Sequence, residues 1–176
     1  MDESTIDLAR RGDRNAQAAI LREFQDVWYR MCVGLLRDGE LARDATQETA
    51  LRFLKQLPAF RGESQLRTWS LGIAINVCRE MRRRSRPVDA VRLTDAQRAA
   101  EPGPEDSAEM AESKARVRAM LAELPERQRE AVMLRFFEEL SVDEAAEVMQ
   151  CAAGTVKATI HQAMKALKKK LQVSYE

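Results

Sequence analysis

The sequence predicts an all-α protein of two small helical domains joined by an acidic, flexible linker. Three observations lead there. Apolar residues recur at three- and four-residue steps through most of the 176-residue chain. Only 5% of residues are aromatic and the 7 glycines and 5 prolines fall mostly between the periodic stretches, which disfavours sheets. One proline-containing segment, in which seven acids face two arginines, interrupts the pattern between Pro87 and Ser113.

In chain order, a first helix is expected from about Asn15 to Leu36, with Ile20, Phe24, Val27, Trp28, Met31 and Leu35 as its apolar stripe. Arg37-Asp38-Gly39 breaks it. A second runs from about Glu40 to Gln56, burying Ala42, Ala45, Thr49, Phe53 and Leu57. Pro58 and Gly62 bracket a loop, and a third helix from about Gln65 to Arg84 carries Leu66, Trp69, Ile73, Ala74, Val77 and Met81 on one face. Three such helices can close a bundle core, so residues 1–86 form the first domain. Residues 87–106 form the linker, too poor in apolar surface to offset the entropy of ordering.

The second domain, 107–176, opens with a helix whose expected cap is Asp106, with Glu109 three residues on. It carries Met110, Val117, Met120, Leu121 and Leu124. Pro125 suits the first position of the next helix, which continues to about Phe137. Ser141-Val142-Asp143-Glu144 has the spacing of a capping box for a short helix ending near Met149. After the turn Gln150-Cys151-Ala152, a long helix runs from about Ala153 to Leu171, giving a four-helix domain with a helix-turn-helix.

Charge is informative by position, since 29 Lys+Arg nearly cancel 28 Asp+Glu. On the last helix Val156, Ile160, Ala163, Leu167 and Leu171 make one stripe, while Lys157, His161, Lys165 and Lys168 lie opposite. Lysines so placed neutralise duplex phosphates, and polar groups near the helix start reach base edges. A second cluster, Arg79, Arg82, Arg83, Arg84 and Arg86, ends the third helix downstream of a loop mixing basic, hydroxyl and aromatic groups, a combination suited to unpaired strand. Either cluster could instead be a solvated basic face, and Trp69 fits a core role better than a stacking one. Asp44, Gln47 and Glu48 lie beside the apolar stripe of the second helix, and periodicity alone assigns them nothing.

Other classes recede. No catalytic constellation or phosphate loop occurs, so neither an enzyme nor a cofactor is expected. One histidine and three widely spaced cysteines (Cys32, Cys78, Cys151) leave a metal site almost without ligands. The thiols suit a reduced, cytoplasmic compartment, and neither a membrane span nor a secretory leader is expected.

Asp44-Ala45-Thr46-Gln47-Glu48, Phe60-Arg61-Gly62-Glu63-Ser64, Thr68-Trp69 and Ile73-Ala74-Ile75-Asn76 together resemble the first domain of extracytoplasmic-function sigma factors of the sigma-70 family. Leu124-Pro125-Glu126-Arg127-Gln128-Arg129-Glu130, Leu134-Arg135-Phe136-Phe137 and Gly154-Thr155-Val156-Lys157 resemble their C-terminal domain. The resemblance implies a factor that binds core RNA polymerase, directs it to promoter DNA and helps melt it. It places Asp44, Gln47 and Glu48 against the polymerase. Arg61, Ser64, Thr68, Asn76, Arg79 and Arg83 would hold the unpaired −10 strand, and Lys157, Thr159, His161 and Gln162 would read the −35 duplex. An anti-sigma factor is the implied regulator. Gln162, Met164, Gln150, Ala152 and Ile75 depart from residues common in the family, which implies an altered promoter preference. The competing expectation is a stand-alone or dimeric helix-turn-helix regulator. Beyond it lies an adaptor whose basic faces bind acidic proteins.

Overall fold

The computed structural model describes residues 2–85 and 108–173; the linker expected over 87–106, the Asp106 cap and Arg86 lie outside the described residues. Among the described residues there is no strand, and no helix is long and apolar enough to cross a membrane.

A short helix that the sequence pattern did not announce comes first, α1 (Glu3–Arg10). α2 (Arg14–Leu36) starts where the Asp13 carboxylate accepts the Ala16 amide at 2.8 Å, and it ends at Arg37, which adopts a left-handed conformation (φ 62°). Asp38 then caps α3 (Gly39–Gln56) through the Leu41 amide at 3.0 Å. The break at 37–39 is therefore an end and a start placed back to back, each with its orphan backbone groups satisfied. A 3₁₀ turn (Leu57–Ala59) and a loop containing Gly62 at φ 75° lead to α4 (Leu66–Ser85).

The first core is built on Trp28, fully buried, whose indole N–H donates to the Ser70 hydroxyl at 3.0 Å. Ring contacts run from Phe24 through Trp28 and Phe53 to Trp69 and Phe60, with centroids 5.0–6.1 Å apart. Offset and edge-on rings at such distances add to the burial itself. Trp69, partly buried, thus packs against the interior, as its place on the stripe implied.

α4 is buried on more than that stripe. Leu71 and Ile75 are fully buried too, and at 100° per residue they lie on the opposite side together with Thr68, Arg79 and Arg82. A helix apolar on both sides needs two neighbours. α2 and α3 cover one side, and the second domain, through α7, covers the other.

That domain comprises α5 (Ala108–Ala122), α6 (Glu126–Val132), α7 (Val142–Met149) and α8 (Ala153–Val173). Pro125 caps α6 from one position before its first turn, rather than filling the first position. α6 widens into a π-helical turn at Met133–Phe137, which turns Phe136 and Phe137 outward, 52% and 49% exposed. Both arms of the Ser141–Glu144 capping box form, at 3.2 and 2.8 Å. Gln150 ends α7 in the left-handed region (φ 55°).

Candidate nucleic-acid and polymerase interfaces

Three surfaces carry the residues singled out in the sequence. On α3, Asp44 and Gln47 are exposed, and Glu48 accepts a hydrogen bond from Arg52 Nε at 2.6 Å. Arg52 in turn grips Glu80 of α4 with two bonds of 2.8 Å, which holds the Glu80 carboxyl below its usual range. Leu51 stands on this same face, three and four residues from Glu48 and Gln47, and is 65% exposed. An isolated exposed leucine is ordinary, and this one extends the polar row by one turn beyond Glu48.

On α8, Lys157, His161 and Gln162 are exposed, and Thr159 is half-buried with its hydroxyl donating to the Thr155 carbonyl at 2.7 Å. Val156 and Ala163 are fully buried beneath them, so the polar row faces away from the core. Lys165, Lys168 and Lys169 continue it, and Lys170 pairs with Glu123. Ala152, just before the helix, has no side chain to cap the first amides.

The third surface, on α4, is occupied. Of its six residues, Arg61 and Arg83 are exposed and Ser64 is half-buried. Thr68 and Arg79 lie beneath the second domain, and Asn76, half-buried, accepts from Arg79 at 3.3 Å. Arg79 forks onto both oxygens of Glu130 at 2.9 and 2.7 Å, and Glu130 is fully buried. Arg82 reaches Glu126 at 2.6 Å and Glu130 at 3.4 Å. Arg67 pairs with Glu138, itself almost fully buried, and donates to the Glu138 carbonyl at 3.0 Å. The Thr68 hydroxyl meets Glu144 at 3.3 Å. Four acids of the second domain thus lie where the charge of a nucleic-acid strand was expected.

Two further arginines close the seam. Arg129 is buried and donates to the carbonyls of Leu121, Ala122 and Leu124, and also to Leu35 of α2 at 3.0 Å. Burial, with Arg37 and Arg82 nearby, lowers its pKa to about 10, so it stays charged at neutral pH. Arg37 donates to the Ala122 carbonyl at 3.0 Å. Glu144 entered the sequence reading as part of a capping box, and Glu126, Arg129 and Glu130 as part of the family resemblance, but none of these acids, nor Arg129, was read as a partner of the first domain. The available clue was Leu71 and Ile75, which would be stranded in water on a free α4.

Sequence comparison decides the family. Residues 20–87 match the family model "Sigma-70 region 2", and residues 114–167 match "Sigma-70, region 4". The RNA polymerase sigma-H factor of Pseudomonas aeruginosa is 34% identical, with 97% of this chain and 94% of the relative aligned. The extracytoplasmic-function (ECF) sigma factor SigC of Mycobacterium tuberculosis is 37% identical over 92% of this chain and 86% of its own length. The chain belongs to the ECF group of the sigma-70 family. It is an RNA polymerase sigma factor, and the stand-alone regulator gives way to that assignment. Among solved structures, CnrH in complex with the cytosolic domain of CnrY superposes with a TM-score of 0.75 at 20% identity, covering 98% of this chain and 97% of that one. RpoE of Bartonella quintana in complex with the anti-sigma factor NepR gives 0.71 at 24% identity, covering 89% and 96%. Both share this fold.

Proposed function

We propose that this sigma factor divides its work among three helices and holds one of them in reserve. Asp44, Gln47 and Glu48, with Leu51 one turn beyond them, form the face that docks on core polymerase. Arg61, Ser64, Thr68, Asn76, Arg79 and Arg83 hold the unpaired −10 strand. Lys157, Thr159, His161 and Gln162 read the −35 duplex. The factor acts by binding, and the polymerase supplies the catalysis.

The observation that carries this reading is the seating of Glu126, Glu130, Glu138 and Glu144 on the arginine-rich side of α4. Carboxylates there make the charge-assisted, forked bonds that phosphates would make. The arrangement supports a closed, idle state in which the second domain stands in for promoter strand. Polymerase, by holding the two domains apart, frees α4 as it positions α8. An anti-sigma factor that favours the closed arrangement would be the matching regulator.

Transcription in vitro with bacterial core polymerase and a promoter library tests the assignment. Gln47→Ala with Glu48→Ala is expected to weaken core binding and spare duplex contacts, and Lys157→Ala to do the reverse. Leu51→Asp should weaken core binding at least as much as the polar pair. Identical effects from all three variants, or no association of the wild type with core polymerase, would sink the proposal.

A further inference from the structure

Cys32 on α2 and Cys78 on α4 are 46 residues apart in sequence, yet their Sγ atoms are 3.5 Å apart and both side chains are fully buried. Two sulfurs in contact need a shift of only about 1.5 Å to reach disulfide bonding distance. The third cysteine, Cys151, lies apart in the turn before α8 and is half-exposed. Neither buried thiol has a part in polymerase, strand or duplex binding as described above.

The pair sits at the seam between domains. Cys78 adjoins Arg79 on the covered side of α4, close enough to Glu130 for that carboxylate to raise its pKa. Gly34 lies two residues beyond Cys32, and a Cβ there would meet the Met133 Cε of the second domain at 2.6 Å. The two thiols also differ. Cys78 donates its proton toward the Cys32 sulfur, and this bond, with the Thr46 hydroxyl beside it, lowers the Cys32 pKa. The same bond and burial push the Cys78 thiol up.

We infer that Cys32 and Cys78 are a redox-active pair that closes to an intramolecular disulfide on reaction with a peroxide, and that the docked second domain limits the oxidant's access. The Cys32 thiolate attacks one peroxide oxygen; the S–O bond forms, the O–O bond breaks, and hydroxide leaves and takes up a proton. The Cys78 sulfur then attacks the Cys32 sulfenic acid; the S–S bond forms, the S–O bond breaks, and the departing oxygen leaves as water with the Cys78 proton. Two thiols and one hydrogen peroxide become one disulfide and two waters. The bond ties α2 to α4 across a long loop, which restricts the unfolded chain.

The full-length protein should be treated with hydrogen peroxide and mapped by mass spectrometry without reduction. The expected product is one internal link joining the Cys32 and Cys78 peptides, two hydrogens lighter, reversed by dithiothreitol, with a raised melting temperature. Cys78→Ser should instead accumulate a Cys32 sulfenic acid that dimedone traps. Glu130→Ala, and separately Arg67→Ala should the first fail to fold, are expected to speed oxidation, by about a hundredfold or more for Glu130→Ala, because reaction then tracks a larger open population. Oxidation confined to Cys151, or links only between chains, would overturn the pair. Equal rates in the wild type and the opened variants would overturn the role of the second domain.

Discussion

Glu144 serves two partners at once. Its carboxylate accepts from the Ser141 amide at 2.8 Å in the capping box and from the Thr68 hydroxyl of the first domain at 3.3 Å. The Ser141 amide, then its hydroxyl, hold its pKa below the usual 4.5. A carboxyl whose folded pKa is depressed contributes stability that is present above its unfolded pKa and lost as pH falls through the folded value. The melting-temperature gap between wild type and Glu144→Ala should therefore be full at pH 7 and shrink below about pH 4.5, as read by thermal melts across that range. A gap independent of pH would show that the carboxylate charge has no part in the cap. Glu130 is a different case, since it is fully buried among Arg79, Arg82 and Arg127. Removing it strands charged guanidiniums at a covered seam, at a cost of about 3–5 kcal/mol to the docked state. Residues of this kind are the least legible in a sequence. The resemblance grouped Thr68 with Arg79, but neither it nor a helical azimuth says what lies opposite them. Trp28 and Trp69 were legible because an aromatic on an apolar stripe has few other places to go.

Among the elements, those with a chemical start signal were readable to within a residue or two. Ser141 with Glu144 announced α7, and the 37–39 break announced the α2–α3 corner, because capping is local chemistry. α1 carried no such signal: its eight residues hold only Ile6, Leu8 and Ala9 as apolar groups, too few to show a period, and it is helical because Ala9 packs into the neighbouring core. The π-helical turn at Met133–Phe137 was also hidden, since one residue of helical overrun leaves no mark on composition. Gln150 offers a direct test at this scale. It ends α7 at φ 55°, a conformation that disfavours a side chain with a Cβ. Gln150→Gly should stabilise the protein by about 0.5 kcal/mol, the relief of that strain less the entropy a glycine adds to the unfolded chain, measurable by urea denaturation. A loss of stability would mean that the glutamine side chain makes up for its backbone.

At the scale of the molecule, the two-domain plan was legible and two positive faces could be read from the placing of charge, whereas the contact between domains was not. A positive face reads the same whether a strand, water or another domain will cover it. Glu130→Ala is expected to lengthen the distance between dyes placed on the two domains and to raise the free protein's affinity for single-stranded −10 oligonucleotides. Unchanged dye separation would place the closing energy elsewhere in the seam. Arg129 and Arg37 add a last consequence. Both tie the second domain to the corner where α2 gives way to α3, one through the Leu35 carbonyl and one from its own position at that corner. The same corner sets the start of the helix bearing Asp44, Gln47 and Glu48. Release of those ties must alter how firmly that helix is anchored, and linkage runs in both directions. An enzyme gripping α3 and a domain letting go of α2 would then be two readings of a single equilibrium, each drawing the other forward by the same factor.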